Sequence, residues 1–308
     1  MASHAAVHEA PKGMIRKYIF SIDHKVIGIQ YFLLALFSVF VGMVLSVLMR
    51  LRLAWPEEHW PLLQKIFPEG FAGGPMTPEF YLAMMTMHGT IMVFFVLTTA
   101  PLSGFGNYFL PIQIGARDMA FPVLNMLSFW ITFVALVVMM AALFATGGAP
   151  ISGWTAYAPL SALGSLAGRG LGTGQTLWII SIAIFCVGSL LTSLNFLTTT
   201  LNLRTRGMSL MRMPLPVWAW FTTAILALLA FPVLLAGGIL LLLDRVGGTS
   251  FFIPGGLVVS DDLGSAAVHE FYSLGGESFS PRLVARDAFL AGNDLLYLGN
   301  IRADELDD

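Results

Sequence analysis

The sequence predicts an all-α fold, a polytopic bundle of about five transmembrane helices, and three observations carry the prediction. Of 308 residues, 56% are hydrophobic and 11% charged, whereas a soluble domain carries about a quarter charged residues. The charges are gathered into clusters rather than spread along the chain. The uncharged intervals between clusters are about 20 residues or longer, the length a helix needs to cross a bilayer. A charge at mid-bilayer costs several kcal/mol, so those intervals mark the membrane segments.

Residues 1–25 form an N-terminal segment that holds Lys12, Arg16, Lys17 and Lys25 and no apolar core of signal-peptide length. It is expected on the cytoplasmic side. Helix one is expected at about 26–49 and helix two at about 80–106, closed by the turn-prone Gly-Asn-Tyr-Phe-Leu-Pro of Gly106 to Pro111. Helix three is expected at about 120–145, helix four at about 175–200 and helix five at about 214–243, with Pro232 kinking the last. Loops assigned to the starting side then carry Arg117, Arg204, Arg206 and Arg212 besides the early cations. The opposite side holds Arg50, Arg52, Lys65, Arg169 and Arg245, a bias that agrees with an inside N-terminus. The loop from Arg50 to Pro78 contains Trp55 and Trp60, and that from Gly147 to Gly174 is rich in Gly, Ala and Ser. Residues 26–252 thus read as the membrane region. Residues 253–308 read as a divergent soluble tail, dense in acidic residues and without a window that could span a membrane, so the C-terminal tail is expected outside.

The formal net charge of -2 leaves no basic surface large enough for nucleic acid. Cys186 is the single cysteine, which excludes an intrachain disulfide and a thiolate metal cluster. Of six histidines, His4, His8, His24, His59 and His269 fall in tails or loops, where solvent accounts for them. His88 falls about nine residues into helix two, roughly 13 Å from its outer end at 1.5 Å per residue. An imidazole at that depth needs a partner. It is either an axial ligand of a haem iron, with Gly89 and Thr90 as small neighbours that admit a flat macrocycle, or an imidazole hydrogen-bonded to a neighbouring helix. Met84, Met85, Met87 and Met92 stand among helical apolar positions and read as packing rather than as a copper site.

Two segments, Ser21-Ile22-Asp23-His24-Lys25-Val26-Ile27-Gly28 and Met87-His88-Gly89, resemble signatures of the haem-copper oxidase superfamily, specifically cytochrome c oxidase subunit I. Further stretches fall in that family's order and spacing. They are Phe105 to Pro111, Ile114 to Pro122, Gly153 to Leu160, Asn195 to Thr199 and Gly248 to Phe252. The resemblance covers about Ser21 to Phe252 and lies nearer the cytochrome c oxidase branch than the nitric oxide reductase branch.

That resemblance implies roles for single residues. His88 matches an axial ligand of the low-spin haem, of type a or b, and Arg50 matches the arginine that hydrogen-bonds a haem substituent. Without the resemblance Arg50 reads as a snorkelling interfacial arginine. Asp118 matches the mouth of the family's D-type proton channel, and Asn107 and Asn125 match amides that hold water in its lower part. Read alone, Asp118 is a loop carboxylate beside Arg117. The family pattern has proline where Arg117 stands, so a cation beside the channel mouth is expected to alter proton capture. Trp154 and Tyr157 also match family positions but read as interfacial anchors.

The resemblance further implies subunits II and III as partners, cytochrome c or quinol as electron donor, and a multi-pass location in the bilayer of a bacterial inner membrane. The family's copper-binding histidines, cross-linked tyrosine, second low-spin haem ligand and oxygen-reducing haem ligand all lie beyond helix five. His269-Glu270-Phe271-Tyr272 lacks the proline and apolar helix of the family's copper motif and is not read as a copper site. The copper site is therefore expected to be absent from this chain, with the missing C-terminal half of subunit I as a further partner. The chain alone is expected to be inactive. The alternatives are a catalytically inert membrane scaffold or haem-binding module, or a non-functional fragment. Ala288 to Tyr297 weakly resembles a strand-and-helix stretch of family-three glycoside hydrolases, from which no sugar chemistry follows.

Overall fold

A computed structural model describes residues 13–164, 170–252, 258–262 and 293–297. Two units divide the chain, one from Met1 to Thr249 and one from Ser250 to Asp308. The first is an all-helical bundle. A short helix α1 (Met14–Tyr18) precedes α2 (His24–Ala54), and α3 (Pro61–Ile66) lies in the following loop. A continuous helical rod comes next, made of α4 (Pro78–Thr90), a π-helical stretch (Ile91–Phe105) and α5 (Gly106–Ile114). It is followed by α6 (Pro122–Leu143), α7 (Thr173–Asn202) and α8 (Leu215–Val246). Among the described residues, five helical rods, His24–Ala54, Pro78–Ile114, Pro122–Leu143, Thr173–Asn202 and Leu215–Val246, are long and apolar enough to cross a membrane. In the second unit, β1 (Val258–Asp262) pairs in parallel with β2 (Asn293–Tyr297). The segment read as similar to a hydrolase stretch thus ends in a strand, while His269 and the rest of its motif lie outside the described residues.

The helix starts are chemically specified. Asp23 caps α2 by accepting the Lys25 amide at 2.7 Å, and Thr77 caps α4 by accepting the Phe80 amide at 3.3 Å. Pro78, Pro122 and Pro216 occupy first-turn positions, where a missing N–H costs nothing.

Span two differs from the sequence expectation. Gly106 to Pro111 does not close the helix, which continues to Ile114 and ends at Gly115 in a left-handed conformation (φ 74). Pro111 has no N–H for the carbonyl four residues earlier. That carbonyl, on Asn107, instead accepts a hydrogen bond from His24 Nδ1 at 2.9 Å. An interior proline therefore frees an acceptor that ties helix one to helix two. Pro101 likewise lies inside the π-helical stretch, and the Thr98 and Thr99 hydroxyls donate to carbonyls five residues back, on Val93 and Phe94. Helix five likewise runs through Pro232 without interruption.

Packing follows small residues. At Gly28, a Cβ would lie 3.0 Å from the Gly104 carbonyl oxygen and 3.0 Å from the Tyr108 nitrogen, so helices one and two meet almost backbone to backbone. A buried cluster that includes Leu110, Ile114, Met119, Phe196 and Val217 packs spans two, four and five around the 115–121 loop. At the other end, Arg245 donates to the carbonyls of Ser161, Leu171 and Gly172 and to Thr176 Oγ1, which fastens the 147–174 loop to the start of α7.

Candidate haem-ligand and proton-path residues

His88 lies in the last turn of α4, just before the π-helical stretch begins. Its Nδ1 donates to the Gly42 carbonyl of helix one at 2.8 Å. A carbonyl oxygen only accepts, so the proton sits on Nδ1 and the lone pair on Nε2. The ring is half-buried, and Nε2 has no hydrogen bond among the described residues. A fixed tautomer with a carbonyl behind the imidazole is the arrangement that orients histidine ligands of metals. A haem iron is a metal that such a histidine could hold through Nε2. Gly42 has no side chain, and Met92 Sδ occupies that space, 2.7 Å from where a Cβ would stand.

Gly89 and Thr90 do not flank an open face. The Trp154 ring packs on Gly89, where a Cβ would meet it at 3.2 Å, and Thr90 Oγ1 accepts from Trp178 Nε1 at 2.8 Å. Their small size admits tryptophans from the 147–164 loop and helix four, because residues next to His88 point about 100° away from it around the helix. The Gly153 amide donates to Thr86 Oγ1 at 3.0 Å, so the loop is stitched to the helix that carries His88. Arg50 is exposed, eight residues beyond Gly42 on the same helix, and makes no hydrogen bond among the described residues. At 1.5 Å per residue that is about 12 Å, and the structure does not bring Arg50 and His88 into contact.

Asp118, Asn107 and Asn125 all lie at the opposite end of the bundle, around the 115–121 loop and the first turn of α6. Asp118 is half-buried and accepts the Met119 amide at 2.7 Å. Burial pushes its carboxyl up from the ordinary carboxylate range; the Met119 amide and the His24 charge oppose this, and the Asp23 charge adds to it. Arg117 is exposed, and the charges that act on Asp118 are those of His24 and Asp23. The expected influence of Arg117 on the carboxyl therefore falls to the start of helix one.

A carboxyl whose folded pKa is raised contributes stability below its unfolded pKa and loses it as pH rises through the folded value. Asp118→Asn is therefore expected to unfold later than the parent at neutral pH. The difference should shrink to nothing below the ordinary carboxylate pKa of about 3.9. Thermal melts at both pH values check this, and a parent that is the more stable at neutral pH contradicts it.

Asn107 and Asn125 are fully buried. Asn107 Nδ2 donates to Ser103, but Asn107 Oδ1 and both amide atoms of Asn125 have no partner among the described residues. Ser193 Oγ and Thr200 Oγ1 on helix four share that condition. Between them, the fully buried Tyr31 hydroxyl donates to Ser128 Oγ at 2.9 Å and lies 3.3 Å from Thr192 Oγ1. Three residues here escape sequence reasoning. His24, expected in solvent, is instead buried, bonded to Asn107 and next to Asp118. Tyr31 and Thr192 sit in apolar helix runs where only the tertiary fold pairs them. The available signal is a hydroxyl repeat on helix four, Ser181, Ser189, Thr192, Ser193, Thr199 and Thr200, too polar for a lipid face.

Residues 26–272 match the family described as cytochrome C and quinol oxidase polypeptide I, twenty residues further than the motifs above reach. Over 244 residues the chain is 45% identical to the alternative cytochrome c oxidase subunit 1 of Bradyrhizobium diazoefficiens, covering 79% of this chain and 39% of that protein. It is 41% identical to cytochrome c oxidase subunit 1 of Thermostichus vulcanus, covering 79% and 40% of the two chains. Against the same subunit of Synechocystis sp. the identity is 40%, with 78% and 39% covered. The chain thus spans about two fifths of the length of the curated relatives it matches. Five membrane-length helices and these matches together make it an integral membrane protein, and the chain belongs to the cytochrome c and quinol oxidase polypeptide I family.

Proposed function

We propose that this chain is the N-terminal part of the catalytic subunit of a proton-pumping haem-copper terminal oxidase, with its N-terminus on the cytoplasmic side of a bacterial membrane. His88 would hold a low-spin haem, and Asp118 would stand at the entrance of a proton path. The observation that carries the reading is the His88 Nδ1 bond to the Gly42 carbonyl, which leaves Nε2 as the lone-pair donor. When bound, a haem supplies one-electron transfer, here between a donor such as cytochrome c or quinol and the oxygen-reducing centre.

The chain's own groups do the rest. Arg50, at the His88 end of helix one, is the donor for a haem substituent. Asp118 collects protons, and burial, which raises its pKa, makes it hold a proton more readily than an ordinary carboxylate does. The buried amides of Asn107 and Asn125 each offer unpaired atoms, and buried polar atoms without protein partners call for ordered water. Through such water the Asp118 carboxyl connects to the Tyr31, Ser128 and Thr192 hydroxyls. The second haem ligand and the copper ligands come from polypeptide beyond this chain, and subunits II and III complete the complex.

Co-expression with the helices that follow the fifth in the Bradyrhizobium relative tests the reading. Oxygen consumption driven by reduced cytochrome c is expected only when both pieces are present. Oxygen consumption by this chain alone, or none from a folded two-piece assembly, contradicts it.

A further inference from the structure

A chain of hydrogen bonds runs from helix five to the helix that carries His88. Arg245 Nη1 donates to the Ser161 carbonyl at 2.6 Å, and Ser161 Oγ donates to the Ala156 carbonyl at 2.8 Å. The Ala156 amide donates to the Gly153 carbonyl at 3.2 Å, and the Gly153 amide donates to Thr86 Oγ1 at 3.0 Å. Ala156, in the middle of this relay, has φ 44, a left-handed conformation that a residue with a Cβ keeps only where its neighbours hold it. The rest of the Arg245 guanidinium holds the far arm of the same loop, at the Leu171 and Gly172 carbonyls and at Thr176 Oγ1.

The relay meets helix two on the side away from His88. At about 100° per residue, Thr86 and Thr90 each lie about 160° around the helix from His88. The loop bonds to Thr86, the Trp154 ring packs on Gly89, and Trp178 Nε1 donates to Thr90 Oγ1. On the other side, His88 Nδ1 donates to the Gly42 carbonyl of helix one. The turn that carries His88 is thus held between the loop and helix one, and the loop is held by Arg245.

We propose that Arg245 is a positioning residue for His88, and that it acts through this relay by keeping helix two seated on Gly42. With the Nδ1 bond kept, the tautomer and the direction of Nε2 stay fixed. This role rests on the reading of His88 as a haem ligand. Lysine at position 245 keeps the charge but lacks the planar fork that bonds several acceptors at once.

Two measurements on the purified full chain in micelles test the role, with Arg245→Lys, Thr86→Val and the double variant. In the haem-free chain, nitrogen NMR of labelled histidine, assigned by the signal lost in His88→Ala, is expected to show His88 of the parent as the Nδ1–H tautomer alone. Both tautomers are expected in Arg245→Lys. In a haem titration, each single substitution is expected to weaken binding about tenfold, as loss of a group that orients a ligand does. The double variant is expected to bind no more weakly than either single one, because both substitutions break the same relay. Should Arg245→Lys fail to fold, Ser161→Ala, which cuts the relay at Ala156, takes its place in both measurements. A parent with mixed tautomers, a relay variant that keeps the single tautomer, or effects of the two substitutions on haem affinity that simply add overturn the proposal. A parent that takes up no haem contradicts the His88 reading instead, and the tautomer of the haem-free chain then decides on Arg245 by itself.

Discussion

Leucine at position 28 is expected to destabilise the bundle by about 3 kcal/mol, at the upper end of what overpacking a close contact costs. The approach at Gly28 is set on one side by backbone, the Gly104 oxygen and the Tyr108 nitrogen, each 3.0 Å from where a Cβ would stand, and backbone in a helix cannot rotate out of the way as a side chain can. Helix one must therefore move off helix two. One turn earlier, His24 Nδ1 donates to Asn107, so the same displacement breaks that bond and leaves a buried imidazole without its partner. Gly28→Ala, whose methyl meets the same atoms without further bulk, is expected to fall between the parent and the leucine variant. Denaturation in mixed micelles, followed by helical circular dichroism, ranks the three. A leucine variant as stable as the parent would mean that helices one and two do not cross at Gly28.

His88→Ala is expected to abolish oxygen consumption by the two-piece assembly while leaving the fold of this chain nearly unchanged. Both halves of that statement follow from one geometry. Among the described residues the His88 side chain makes a single hydrogen bond, to the Gly42 carbonyl, so its loss frees one acceptor and costs about 1 kcal/mol. Its Nε2, by contrast, is the atom assigned to the iron, and no other histidine among the described residues lies on the spanning part of helix two. Equal unfolding midpoints with activity lost support the assignment. Activity retained in His88→Ala removes His88 from the electron path.

Much of the fold is legible because lipid imposes a simple rule on sequence. The uncharged intervals locate all five spans, and the observed helices contain nearly all of each. The ends are less legible. Helix one continues past Arg50 and Arg52 to Ala54, since long cationic side chains can snorkel and need not end a helix. Span two continues through Asn107 and Pro111, since the carbonyl that Pro111 leaves free finds His24 across the interface. Neither extension is visible without the partner helix. The same limit applies to the site. Motif and depth single out His88, Asp118, Asn107 and Asn125, but His24, Tyr31 and Thr192 gain their meaning only from contacts 83 to 161 residues away in the chain. The two strands Val258–Asp262 and Asn293–Tyr297 pair across more than thirty residues and offer no hairpin signal.

The central claim is that His88 ligates a haem, and a haem titration of the purified chain in micelles tests it most directly. The visible and electron paramagnetic resonance spectra of the parent are expected to show saturable uptake of one haem with a histidine-ligated iron, and His88→Ala is expected to take up haem no better than empty micelles do. Identical titrations for the parent and His88→Ala would contradict the claim, as would a parent spectrum without histidine ligation.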